Sequence, residues 1–377
     1  MGEKAGRQSN IELLRIIAAM GVVLLHYNNP RIGGGFKYVA GDSVNQFVMI
    51  LLEAVFICAV NVYVIISGYF MKGTFKRDLL KPVKLLSMLV VFELLAYLIK
   101  ELPKGEGFSL AVLFGYFTPS YWFVFVFIAL NILSPYINLM WSHLSRQGQK
   151  RLLTILILLF SVWPIIWEIA SYISGTGIWG EELICSYGLM QGLSSVGLFG
   201  SEAGYTIVNF VLVYLIGCYL KDIEEDGVKF KNGTLILLLL LNLALIIGWT
   251  YGEYFLTGQA INATTGWNYE SPFVISEAVL VFLLFKNMKI KNSKVINLLA
   301  GAAFPTYLIH INLLEYLKIE HFVQESTLIM VLHIFGSLIG IYFVCFAVFM
   351  LYDLVTKPVF KMISGKWQEK RYIEIKP

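Results

Sequence analysis

Apolar residues in this chain fall into long runs, and polar residues collect in the shorter segments between them. Ten runs are of membrane-spanning length, at residues 11–28, 47–70, 82–100, 119–141, 151–173, 203–220, 233–251, 272–286, 295–317 and 327–353. A helix rises about 1.5 Å per residue, so roughly 20 apolar residues match the hydrocarbon thickness of a bilayer. The pattern predicts an all-α integral membrane protein, a single bundle of about ten transmembrane helices. Ionisable groups inside the runs predict a central polar pore. An even number of crossings puts both termini on the same side.

Composition agrees: of 377 residues, 58% are hydrophobic and only 14% charged, about half the charged share of a soluble protein. The formal net charge of +4 says less than where the cations sit. The N-terminal tail, every second connecting segment and the C-terminal tail together hold 22 of the 29 Lys and Arg residues. The opposite segments hold five: Arg31, Lys37, Lys100, Lys104 and Lys318. By the positive-inside rule this predicts a multi-pass protein of the cell (plasma) membrane with both termini cytoplasmic. Residues 1–353 are expected to form one polytopic membrane domain. Residues 354–377 are expected to be a basic cytoplasmic tail contacting anionic membrane lipids. No cleavable leader is expected, because the polar N-terminus runs into the first span without a small-residue cleavage site. Cys58, Cys185, Cys218 and Cys345 show no paired spacing and read as packing residues.

Charge placement orients the first run, Ile11 to Tyr27. Arg15 and His26 are eleven positions apart, three full turns plus about 20°, so they share one helix face. The rise between them is about 16 Å, which puts Arg15 near the inner surface and His26 in the outer half. Arg15 can snorkel to headgroups and His26 can simply end the span, and Glu12 is placed one turn away to neutralise Arg15. Ionisable groups inside spans are nevertheless mostly functional, so the pair is a candidate site.

Motifs for nucleotide phosphates, zinc and acyl-serine chemistry are missing, and neither a metal nor a nucleic-acid partner is expected. What remains is polar groups within spans. Ser67-Gly68 is a small pair that suits close helix approach or a serine with a chemical role. Tyr121 and Trp122 open the fourth span, where an aromatic belt also explains them. In the ninth span Pro305 suggests a kink, and Tyr307 and His310 share a face. Glu53, Glu93, Glu168 and Glu277 lie in or near spans without evident pairing, and His143, His321 and His333 carry no signal. The outer segments 174–202 and 252–270 lack Lys and Arg and are rich in Gly, Ser, Thr and aromatic residues, which suits carbohydrate-like molecules.

The opening NIELLRIIAAMGVVLLHY resembles the first span of the membrane acyltransferase-3 family, in its surface-polysaccharide O-acyltransferase branch. The family motif is a basic residue, ten intervening positions and a histidine, met here by Arg15 and His26. VYVIISGYF, YWFVFVFIALNILSP and FPTYLIH are further matches in the second, fourth and ninth spans, so the likeness covers nearly the whole chain. The resemblance implies transfer of an acyl group, most often acetyl from acetyl-CoA, across the membrane to a hydroxyl of a polysaccharide or lipid-linked glycan. It implies His26 as the catalytic histidine and Arg15 as the partner of the acyl-CoA donor. Glu12, Ser67, Tyr69, Tyr121, Trp122, Tyr307 and His310 would line the pore or meet substrate. Some members carry an additional C-terminal hydrolase-like domain, and its lack in this sequence points toward an acceptor other than peptidoglycan.

Elementary chemistry fits that picture. Coenzyme A is too anionic to enter lipid, so its nucleotide end would stay cytoplasmic, where a guanidinium can grip phosphate bidentately. Its pantetheine arm would run along the first helix to bring the thioester to His26, whose imidazole can take a hydroxyl proton near neutral pH. Ten spans with buried His and Glu also suit a proton-coupled transporter of a small solute or glycan, although no inverted repeat is visible. A non-catalytic scaffold is the third reading, under which Arg15 and His26 are dispensable.

Overall fold

A computed structural model describes residues 7–105, 108–117, 121–173, 202–366 and 372–375 of the chain. The helical segments run in order α1 (Ser9–Asn28), α2 (Gly35–Tyr38), α3 (Val44–Phe56) and α4 (Ala59–Met71), then a short strand β1 (Lys76–Asp78). Next come α5 (Leu80–Glu101), α6 (Leu110–Phe117), α7 (Trp122–Ser142), α8 (Arg146–Ile157), α9 (Trp163–Ile173), α10 (Ile207–Glu225) and α11 (Asn232–Thr257). The chain finishes with α12 (Pro272–Asn287), α13 (Lys294–Leu299), α14 (Ala303–Leu314), α15 (Ile319–Phe322), α16 (Thr327–Lys366) and a strand β2 (Tyr372–Glu374). The two strands pair antiparallel, with Arg77 opposite Ile373.

The protein is thus an all-α integral membrane protein, as the hydropathy pattern predicts. Each of the ten apolar runs coincides with helix, and nine helical stretches among the described residues are long and apolar enough to cross a membrane. The tenth, α10, falls short because its last turns carry Lys221, Asp222, Glu224 and Glu225. Helix also extends past the final apolar run: α16 continues through Pro358 to Lys366. Those added turns carry Lys357, Lys361 and Lys366, so hydropathy alone does not reveal them. Cys185 and most of the outer segment 174–202 lie outside the described residues, as does the side chain of Glu168.

The chain divides into two compact units. One comprises residues 1–66, 228–267 and 273–356; the other comprises 67–227, 268–272 and 357–377. The division falls within α4, between Ile66 and Ser67.

In the first unit α1 is an inner helix. Of its apolar window 72% is buried, against 22% for α11 and 28% for α16, whose outer faces carry exposed Leu, Ile and Phe suited to lipid. A helix apolar all round belongs in the middle of a bundle, and α1 packs against α3 and α14. Val23, Leu24 and Tyr27 of α1 form a core with Met49 of α3, Leu314 of α14 and Ile334 of α16. At its start Asn10 Nδ2 donates to the carbonyl of Phe285 at 2.9 Å. At its end the chain folds back, and Gly33 N donates to His26 O at 2.9 Å. A Cβ on Gly33 would lie 2.4 Å from the Tyr27 carbonyl oxygen, so this return requires glycine. Part of the segment after α11 is also fixed, because Glu253 Oε2 accepts from Thr264 Oγ1, Thr265 N and Thr265 Oγ1.

In the second unit α4 and α10 approach so closely at Gly68 that a Cβ there would lie 2.0 Å from the Tyr214 carbonyl oxygen. The Ser67-Gly68 pair therefore serves close packing at least through its glycine. Between α8 and α9 the helix widens into a π-turn at Leu158–Val162, just before Pro164 removes a backbone donor.

Candidate active site

The last turn of α1 ties itself to three other helices through three consecutive side chains. His26 Nδ1 lies 2.5 Å from His310 Nε2 of α14. Tyr27 Oη lies 2.8 Å from His333 Nδ1 of α16, and the His333 ring stacks on Phe322. Asn28 Nδ2 donates to Glu53 Oε2 of α3 at 2.7 Å. Successive positions on a helix point about 100° apart, so one turn wedged between neighbours can reach all three.

The two imidazoles are coplanar to within 1°, with ring centroids 4.8 Å apart. A nitrogen–nitrogen contact of 2.5 Å within that geometry is an in-plane hydrogen bond, edge to edge. His310 is sealed at 0% exposure, whereas His26 is half-buried and its imidazole has no other hydrogen-bond partner among the described residues. His310 Nδ1 lies 2.8 Å from the carbonyl oxygen of Thr306, one turn back on its own helix. Side chains on a helix lean toward its N-terminus, which is why His310 reaches that carbonyl.

The break expected near Pro305 is a 3₁₀ turn at Ala300–Ala302, between α13 and α14; it holds Gly301, the residue four before Pro305, whose carbonyl a proline leaves without its helical donor. That turn and α14 both pack on α1, which brings His310 to His26.

Arg15 lies three turns back along α1. Its Nη1 sits 3.3 Å from Glu12 Oε1, the partner its spacing predicts, and its side chain stays 37% exposed. An ion pair this open is weak, about 0–1 kcal/mol, and leaves the guanidinium able to take a second anion. Tyr63 Oη donates to the backbone carbonyl of Arg15 at 2.6 Å, fixing this turn to α4.

Tyr307 joins the histidine pair, its ring centroid 6.2 Å from that of His310. The remaining sequence candidates lie in the other unit. Ser67 is half-buried in α4, and Tyr69 Oη donates to Glu224. Tyr121 Oη donates to Glu93, giving that span carboxylate its partner. Trp122 packs among Phe123, Tyr205, Phe210 and Tyr269, an aromatic cluster larger than a belt residue needs. Glu277 hydrogen-bonds the Cys58 thiol.

His333, which carries no signal in the sequence, and Glu53, there a span carboxylate without evident pairing, hold the two residues after His26 in place. Each is hundreds or tens of positions from its partner, and only three-dimensional packing pairs them. Among the described residues no three His, Cys, Asp or Glu side chains are grouped to hold a metal ion.

No curated protein and no solved structure matches the chain. The family model of an acyltransferase domain, acyltransferase 3, matches residues 8–350, a span that takes in both histidines, and the chain therefore belongs to this family of membrane acyltransferases.

Proposed function

We propose that the protein moves an acetyl group from cytoplasmic acetyl-CoA to a hydroxyl of a surface polysaccharide or lipid-linked glycan, with His26 as the general base. The observation that carries this reading is the His26–His310 pair: an accessible imidazole held in one orientation by a sealed partner. A packing histidine needs no such arrangement, whereas a base that must meet a hydroxyl and a thioester in fixed geometry does. Arg15 is the contact for the donor's phosphates, since its guanidinium is only loosely paired and still accessible. With both termini cytoplasmic and the protein in the plasma membrane, Arg15 faces the compartment that supplies coenzyme A, and His26 faces the acceptor.

The test is to supply membranes containing the protein with acetyl-labelled acetyl-CoA on the cytoplasmic side and to follow the label. Its appearance as an alkali-labile ester on glycan is the expected result. Label that stays on the donor while a solute crosses the membrane would replace this reading with a transporter.

A further inference from the structure

The geometry points to His310 as a positioning residue that fixes the tautomer of His26, so that the base is specifically Nε2 of His26. The inference rests on the proposed role of His26 and adds which atom acts and what holds it ready.

A peptide carbonyl has no hydrogen to give, so at 2.8 Å from Thr306 O the Nδ1 of His310 must carry one. A neutral imidazole has a single N–H, which leaves Nε2 of His310 as a lone pair. Against that lone pair, at 2.5 Å, sits Nδ1 of His26, which must therefore be the donor. His26 has then used its only hydrogen, and its Nε2 is a lone pair with no partner among the described residues. Among the described residues no carboxylate touches either ring, so none there compensates a resting positive charge on this pair. The chain of bonds runs one way, from His26 through His310 to a backbone oxygen that helix α14 holds still.

His310 cannot itself meet substrate, being fully sealed, so its part is played through His26. In the transfer step the acceptor O–H gives its proton to His26 Nε2 as the oxygen bonds to the thioester carbonyl carbon. The C–S bond then breaks, and the same proton passes from His26 Nε2 to the departing sulfur, giving the ester and the free thiol. While His26 is cationic, its Nδ1–H points at the lone pair of His310, the atom best able to share that charge. A base locked in the wrong tautomer offers a hydrogen where a lone pair is needed, which in other enzymes lowers turnover by about 10⁴.

The test joins nitrogen NMR of the full-length protein, ¹⁵N-labelled at histidine and held in nanodiscs, to steady-state acyl transfer. In the unaltered protein His26 is expected as the Nδ1–H tautomer, its signal assigned by loss in His26→Gln. His310→Ala should release His26 to the Nε2–H form and lower kcat roughly 10²–10⁴-fold with the donor KM within about twofold. His310→Gln places an amide oxygen near the lost Nε2, and should restore the Nδ1–H form and much of kcat. An Nε2–H tautomer at His26 in the unaltered protein would overturn the inference. So would full kcat in His310→Ala, or a loss there confined to KM. Because the tautomer is read without turnover, an Nδ1–H form in a protein that transfers no acyl group would uphold the hydrogen-bond chain and reject the proposed reaction instead.

Discussion

Two buried polar clusters, one in each unit, show how similar ingredients serve different ends. In the second unit Asp222 is 4% exposed and fully engaged: Oδ1 meets Lys72 Nζ at 2.5 Å and Arg146 Nη1 at 2.6 Å, and Oδ2 accepts from Trp141 Nε1 at 2.7 Å. Lys72 also reaches Glu225, and Arg146 reaches Asp226, so charges of both signs meet and both oxygens of the carboxylate are engaged. In the first unit His26 and His310 have no compensating charge among the described residues, and there the hydrogen-bond chain stops at His26, one atom short of saturation. A closed network stabilises; an open one can react. The difference lies in unspent bonding capacity, since both clusters are polar and both sit near helix ends.

This contrast predicts that the two clusters fail in different ways. His26→Ala should lower acyl transfer in membranes by about 10²–10⁴ or more while leaving the thermal unfolding midpoint in detergent unchanged. Transfer that survives unaltered would remove His26 from the chemistry. Asp222→Ala should do the reverse. It leaves Lys72 and Arg146 without their shared anion, and since both are partly exposed the loss of stability should be about 1–3 kcal/mol, with kcat of the folded fraction unaltered. An unchanged midpoint would show that Asp222 is not a staple.

Acid should sharpen the same distinction. Burial opposes ionisation of Asp222, but the bonds from Lys72, Arg146 and Trp141 outweigh it and hold the carboxyl below its ordinary range. A group whose folded pKa is depressed stabilises the fold above its unfolded value, near 3.9, and that contribution is lost as pH falls toward the folded value. Unfolding midpoints of the native chain should therefore drop more steeply below about pH 4 than those of Asp222→Asn, which has no charge to lose. Arg15→Ala should have the smallest effect. It should raise the donor KM roughly tenfold with kcat retained, and donor affinity equal to the native value would release Arg15 from that role.

The sequence was readable where information is local. The ten apolar runs became helices, and the i, i+3 spacing of Glu12 and Arg15 became a contact, because helical periodicity alone dictates both. The shared face of Tyr307 and His310 likewise appears as neighbouring rings. What stayed hidden was long-range. His26 and His310 are 284 positions apart, and Tyr27 and His333 are 306 apart, so no window along the chain contains either pair. The positively charged turns of α16 beyond residue 353 escaped hydropathy because polar helix and polar loop look alike to it.

The end of α1 is moored on three sides by His26, Tyr27 and Asn28, each to a different neighbour. A rotation or axial slide of this helix would have to tear all three moorings together, so within the first unit this turn is a stationary post and any movement has to hinge elsewhere.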